Sequence, residues 1–304
     1  MAEKTDQQLL DMFAKQSDWT PVMRPVVPII CLLTVYSLTF GTDPGEIKKE
    51  TRPKDDVATN KDKPRFPDLD HSWTNSVGME FLQVQGVKVL FSKYETTNKD
   101  FRHFRPNHDS GKFKGDSLND DRQPVVNVSW NDARDFCKWL TETEKTKGLI
   151  TATQFYALPT DWEWSVAVGL KEPPTDTPQE RMHGKFQGYP WGKQWPPPPK
   201  AGNFSGEERK PAKGIEGYRD DHVVSAPVGS YNIGANGLYD MSGNAWEYCE
   251  DFYDEKRGLR VLRGGSWIHG SDSRLLLSAC RGDRKGDNPG LVYGFRCVLV
   301  VAAR

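Results

Sequence analysis

The stretch Ser129-Trp130-Asn131-Asp132-Ala133-Arg134-Asp135-Phe136-Cys137-Lys138-Trp139-Leu140 has the clearest periodicity in the chain. Ser129 and Asp132 form an S-x-x-D cap, and Ala133, Phe136, Cys137 and Leu140 recur at i, i+3, i+4 and i+7. This spacing predicts a helix that starts at Ser129 and stops at Gly148, with Cys137 on its core face. Downstream, Thr160 and Glu163 make a full capping box for a second short helix. Trp164, Ala167 and Val168 line its buried side, and Gly169 stops it. Upstream, Phe81, Leu82, Val84, Val87, Val89 and Phe91 alternate loosely around Gly86, which predicts a hairpin. Thr96-Thr97 ahead of Phe101 and Phe104 suggests one more short helix.

After Gly169 no helix pattern remains. Residues 170–265 read as loops and short strands rich in Gly, Pro and aromatics, including Pro196 to Pro199. Loops of this length usually serve function or hold an ion that orders them. The expected class is α+β: short helices on small twisted antiparallel sheets, with much irregular but ordered backbone.

Composition narrows the function classes. In 304 residues, 41 Lys and Arg face 42 Asp and Glu, so no net field holds a polyanion, and nucleic acid is not an expected partner. Apolar residues make up 36%, a low share offset by ten Trp, ten Tyr and fourteen Phe. With 27 Gly and 21 Pro, collagen, coiled coil and polytopic membrane protein are excluded. Five Cys are too few and too scattered for a disulfide scaffold or a CxxC zinc site.

The N-terminal region divides in three. Residues 1–22 are a polar extension. In 23–41, Met23-Arg24-Pro25 precedes Val26 to Phe40, largely apolar and uncharged. That run resembles the apolar region of a signal peptide or a membrane anchor, with a buried strand as the plainer alternative. A tether through 26–40 would place the rest of the chain outside the cytoplasm or on a membrane. In 42–70, fifteen of the 29 residues are charged, too many for a packed core, so this segment reads as a disordered linker. The folded domain is expected over 71–304.

Several segments stand together in order. They are Pro124 to Trp130, Leu158-Pro159-Thr160-Asp161-Trp162-Glu163-Trp164, and Tyr189-Pro190-Trp191-Gly192. Ala201-Gly202-Asn203-Phe204, Ala226-Pro227-Val228-Gly229-Ser230 and Asn236 to Glu247 follow. Arg263-Gly264-Gly265-Ser266-Trp267 and Gly294-Phe295-Arg296-Cys297 complete the set. Together they resemble the formylglycine-generating enzyme family, also called sulfatase-modifying factors, over about residues 73–300. The resemblance implies a C-type-lectin-like core rich in ordered loops. The family includes copper-dependent oxidases that convert a sulfatase cysteine to formylglycine and the sulfoxide synthase domain of ergothioneine biosynthesis. It also includes ligand-binding proteins, some diversified by retroelements.

The resemblance implies structural calcium, a hard ion suited to carboxylate and carbonyl oxygens. Carried over by position, one site uses the Asn203 and Asp220 side chains with the carbonyls of Phe204 and His222. A second uses Asp240 and Glu247 side chains with the carbonyls of Gly243 and Ala245. The plainer alternative is that Asp240 and Glu247 cap turns or pair with Lys and Arg.

The oxidases bind copper(I) through two cysteines shortly after Gly-Gly-Ser. Here His269 stands at the first position, and Arg274 or Ser273 at the second. Imidazole and guanidinium do not replace two soft thiolates, so copper is not expected and no catalytic residue is assigned. No pair among the six His has helical ligand spacing. Cys249, Cys280 and Cys297 could supply a disulfide in an exported protein, or remain core thiols. The altered site then reads as a binding face for a peptide, protein or glycan. Trp246 and Trp267 would form an aromatic floor, with Ser266, His269, Asp272 and Arg274 as polar anchors. The alternative is an oxygen-dependent oxidase of the family with a non-standard site.

Overall fold

A computed structural model describes residues 66–182, 188–209, 214–270 and 272–301. The polar extension, the apolar segment 23–41 and the linker up to residue 65 lie outside the described residues. The strands, in chain order, are β1 (Trp73–Thr74), β2 (Glu80–Gln83), β3 (Val89–Ser92), β4 (Lys112–Phe113), β5 (Asp116–Ser117) and β6 (Phe155–Ala157). They continue with β7 (Trp246–Asp254), β8 (Leu259–Arg263), β9 (Gly282–Lys285), β10 (Tyr293–Gly294) and β11 (Val298–Val300). The helices are α1 (Asn98–Arg102), α2 (Trp130–Thr146), α3 (Asp161–Ala167) and α4 (Pro178–Met182).

The strands build a five-stranded sheet in the order β1-β2-β3-β11-β6 and a four-stranded sheet in the order β10-β7-β8-β9, with β4 and β5 as a separate pair. Pairing is antiparallel throughout, except that β10 runs parallel to β7. Phe81 pairs with Ser92 and Leu82 with Phe91, which is the hairpin expected around Gly86. The mixed α+β class with much irregular backbone is thus present. Helix α2, at 17 residues, fills the span expected between Ser129 and Gly148.

Local chemistry explains the helix starts. Thr97, Ser129 and Thr160 each accept from the third residue on, and Asp100, Asp132 and Glu163 reach back to the cap. Each such cap stabilises its helix by about 1 kcal/mol. One expectation needs correction: a helix does follow Gly169. At α4, Thr177 and Glu180 exchange the same reciprocal bonds, at 2.8 and 3.3 Å. With five residues the helix is too short for an apolar stripe, so capping was its only signal.

The core joins both sheets to α3. Phe91 and Val89 of β3, Val298 of β11, Val261 of β8 and Trp164 of α3 pack in one cluster. Cys137 is buried on the core face of α2, as its spacing predicted. Its sulfur lies 3.7 Å from that of Cys297. Cys297 therefore faces Cys137 rather than Cys249 or Cys280, and all four thiols are free.

A buried charge junction locks α3 to the second sheet. Asp161, the first residue of α3, is fully buried. It accepts from Arg181 at 2.7 Å, from Arg281 at 3.1 Å and from Arg263. Arg281 also meets Glu172 at 2.5 Å, and the Asp161 backbone N–H donates to Asp251 at 2.6 Å. Burial alone would raise the Asp161 carboxyl, but Arg263 and Arg281 outweigh it and hold it at about 2.

Because the folded-state value lies below the ordinary 3.8, the junction stabilises the fold above about pH 4. The contribution fades as pH falls through 2. Asp161→Asn leaves three guanidinium groups with Glu172 alone, and we expect a loss of about 3–5 kcal/mol at pH 7. Urea titrations of both forms check this; the gap between them should shrink as pH falls from 4 towards 2.

Candidate functional site

The segment after β8 carries the face expected to bind. Gly264 and Gly265 adopt φ of +90° and +76°, a left-handed turn that sends the chain back across the sheet. The returning segment is stitched to two neighbours. Gly243 N–H donates to the Gly264 carbonyl at 2.9 Å, and Trp267 N–H donates to that of Asn244 at 2.9 Å. Ser205 N–H then donates to the His269 carbonyl at 2.8 Å. A side chain at Gly270 would collide with the Ser205 carbonyl, so the approach is as close as two backbones permit.

Ser266, Trp246, Trp267 and His269 come together here. The His269 ring meets Trp246 edge-on at 5.5 Å. Its Nδ1 accepts the Ser266 N–H at 3.1 Å and lies 3.0 Å from the Ser266 hydroxyl. The hydrogen of the neutral ring therefore sits on Nε2. Burial pushes the imidazole down to about 4, so it is uncharged at neutral pH. Trp246 and Trp267 are 5% and 1% exposed, so they form the base beneath this face rather than an open platform.

Asp272 and Arg274 turn to each other instead. Arg274 Nε donates to Asp272 Oδ1 at 2.8 Å and Nη2 to Oδ2 at 2.7 Å. Asp272 also caps the short 3-10 turn Ser273–Leu276. The two charges are largely spent on one another.

Sequence reading missed Arg209 and Phe113. The Arg209 guanidinium lies 4.7 Å from the Trp267 ring centre and 5.3 Å from that of Phe113. It is half-buried, donates a long bond to the Trp267 carbonyl at 3.4 Å, and has no carboxylate within ion-pair distance among the described residues, although the charges of Glu208 and Asp220 reach it. The Trp267 indole N–H is itself buried without a partner. These contacts join residues more than fifty positions apart, and no local pattern encodes them.

The residues assigned to calcium fall in two adjoining groups, linked by the parallel bridge between Asn203 and Gly243. In the first, Asn203 Nδ2 donates to the Val224 carbonyl at 2.8 Å, while its Oδ1 is buried and unpartnered. Asp220 accepts the N–H groups of Phe204 at 2.6 Å and His222 at 2.9 Å. Burial pushes its carboxyl up to about 7. In the second, Asp240 accepts from Gly229 N–H at 2.7 Å through Oδ2, and its Oδ1 is buried and unpartnered. Burial pushes this carboxyl up to about 6.

Glu247 is held by Arg296 through two bonds of 2.7 and 2.6 Å, and by the Trp164 indole at 2.7 Å. The ion-pair alternative for Glu247 is therefore realised, and Arg296 is a structural residue. Glu95 joins the group, accepting from Asn244 at 2.6 Å and Ala245 N–H at 2.9 Å. Burial, then the charges of Asp240 and Glu247, raise its carboxyl well above the usual range. The orphaned hard oxygens of Asn203 and Asp240 are the donor type calcium takes, so the residues fit the ion. Among the described residues, no three His, Cys, Asp or Glu side chains converge by themselves on a metal position.

Residues 72–301 match the family model described as the sulfatase-modifying factor enzyme 1-like domain. A bovine protein (Bos taurus) named inactive C-alpha-formylglycine-generating enzyme 2 is 34% identical over 180 residues, covering 57% of this chain and 49% of its own length. A formylglycine-generating enzyme of Streptomyces coelicolor is 30% identical over 192 residues, covering 57% of this chain and 52% of its own. The chain thus spans about half the length of the curated relatives it matches. The crystal structure of CarF superimposes with a TM-score of 0.49 at 21% identity, covering 71% of this chain and 87% of that one.

The state of His269 is measurable. Its folded value of about 4 lies below the ordinary 6.5, so the unfolded chain binds more protons between these limits. Acidification from pH 6.5 to 4 should therefore cost stability, and His269→Gln should flatten that slope. An NMR titration should place the His269 midpoint near 4, and urea midpoints of both forms across this range check the rest.

Proposed function

The chain belongs to the sulfatase-modifying factor enzyme 1-like family, and from that premise we propose that it is a non-catalytic, calcium-stabilised binding module of the family. The observation that carries this reading is His269. It stands where the copper oxidases place their first cysteine, and its Nδ1 is engaged by Ser266 N–H. A neutral imidazole held in this way beside Asp272 and Arg274 supplies no thiolate pair for copper(I). The bovine relative named as inactive supports the same direction.

The ligand is a peptide, protein or glycan engaging the face above Trp246 and Trp267. Arg209 and His269 are its polar contacts, and the half-buried Arg209 guanidinium stacks on Trp267 with no ion-pair partner among the described residues. Calcium would be held by the Asn203 and Asp220 side chains with the carbonyls of Phe204 and His222. A second ion would be held by Asp240 with the carbonyls of Gly243 and Ala245, and would share Glu247 with Arg296. The ions would supply the positive counter-charge that favours the ionised form of the Asp220 and Asp240 carboxyls, which burial raises. The apolar run 26–40 fits display outside the cytoplasm or on a membrane.

Two measurements test this. Incubation with copper(I), oxygen and a sulfatase-type cysteine peptide should give no formylglycine, and turnover would overturn the reading in favour of an oxidase. On peptide and glycan arrays, the protein should bind a ligand that Arg209→Gln and His269→Ala each weaken about tenfold, the value of one charge-assisted contact.

For calcium, EGTA should lower the melting temperature at pH 7 and excess calcium should restore it. Asp240→Ala and Asn203→Ala should each reduce that response. A melting temperature indifferent to chelation counts against both sites.

A further inference from the structure

At the far end of β7 from Trp246, a separate cleft of about 310 Å³ opens between the start of α2, the β7–β8 turn and the end of β9. Arg260 of β8 crosses it. The guanidinium carbon lies 3.5 Å from the Trp130 ring centre and 3.4 Å from that of Phe252, so both of its faces are covered by aromatic rings. One donor is used: Nη1 donates to the Glu250 carbonyl at 2.9 Å. A guanidinium carries five donors, and no carboxylate lies within ion-pair distance of this one among the described residues. The Glu250 carboxylate faces Arg134 instead, at 3.3 Å.

The clamp itself is held in place. Trp130 donates its indole N–H to the Cys249 carbonyl at 2.9 Å, which fixes one ring. A guanidinium covered on both faces offers a partner only its in-plane edge. That edge matches the two coplanar oxygens of a carboxylate, and its rotamer entropy is already spent by stacking. Arg257 and Lys285 are exposed at the rim with Asp287 as the acid of the lining, and the carboxylates of Glu250, Asp251 and Glu255 act on Arg260 from outside it. The cleft is at the small end of ligand sites, so it takes a single group presented from outside rather than a whole cofactor. Flanking cations on both sides suit neighbouring acidic residues on the same partner.

We propose that this cleft receives a carboxylate side chain of an acidic peptide segment, with Arg260 as a fixed bidentate donor and Arg257 and Lys285 attracting the flanking charges. The site stands apart from the His269 face, and neither depends on the other.

The test is fluorescence anisotropy of the full chain with labelled hexaglutamate at low salt. Hexaglutamine is the control, and inorganic phosphate and sulfate are competitors. Hexaglutamate should bind, more weakly as salt rises, and hexaglutamine should not. Arg260→Lys keeps the charge but loses the fork, and should weaken binding about tenfold. The double change Arg257→Gln with Lys285→Gln leaves the stacked rings intact. It should weaken binding severalfold and flatten the salt dependence, even if Arg260→Lys fails to fold. Absence of hexaglutamate binding, equal binding of hexaglutamine, or indifference to the rim changes would overturn the proposal. Displacement by millimolar phosphate or sulfate more readily than by unlabelled hexaglutamate would overturn its assignment to carboxylates.

Discussion

Three guanidinium groups converging on one carboxylate set the constraint that the rest of the structure obeys. Asp161 opens α3, Arg181 comes from α4, Arg263 closes β8, and Arg281 leads into β9. None of these charges can be removed singly without stranding the others away from water. Arg263 immediately precedes Gly264-Gly265, so the junction also fixes where the turn towards His269 begins. The stacking of Arg263 on Trp164, at 4.3 Å, ties the same point to the core. Position at the candidate face is thus inherited from a buried ion cluster that lies beneath it.

A second buried cluster has the opposite balance. Around Arg296 stand the carboxyls of Glu95, Asp240 and Glu247, three acids against one base. At the Asp161 junction, three bases face Asp161 and Glu172. Each cluster is incomplete on its own terms. The acidic one leaves an Asp240 oxygen unpartnered, while the basic one leaves Arg263 Nε without an acceptor. The acid-rich group carries an excess of negative charge, and the arginine-rich group, sealed among α3, α4 and β8, is a structural knot.

Legibility in the sequence followed the range of the interaction. Ser129 with Asp132 and Thr160 with Glu163 act over three residues, and both helices stood where their caps put them. The hairpin around Gly86 was equally local. Helix α4 escaped because Thr177 and Glu180 signal a start but five residues cannot show a period. The ordered motifs carried the family by order and spacing, not by any one residue's energetics. At the candidate face, Trp246, Trp267 and His269 were readable as residues. Their burial, and the stacking of Arg209 on Trp267, arise from backbone crossings that no pattern along the chain records. The same holds for Cys137 and Cys297, neighbours in space at 160 positions apart.

Strand β11 lies inside the five-stranded sheet, hydrogen-bonded to β3 on one side and β6 on the other. The hairpin β2–β3 and the strand β6 therefore have no common ladder until residues 298–300 arrive between them. During synthesis, the edge of β3 waits for more than two hundred residues and that of β6 for about 140 before the gap is filled. Assembly is then a closing event rather than a progressive one, and the nascent chain is open to wrong strand partners until β11 is made.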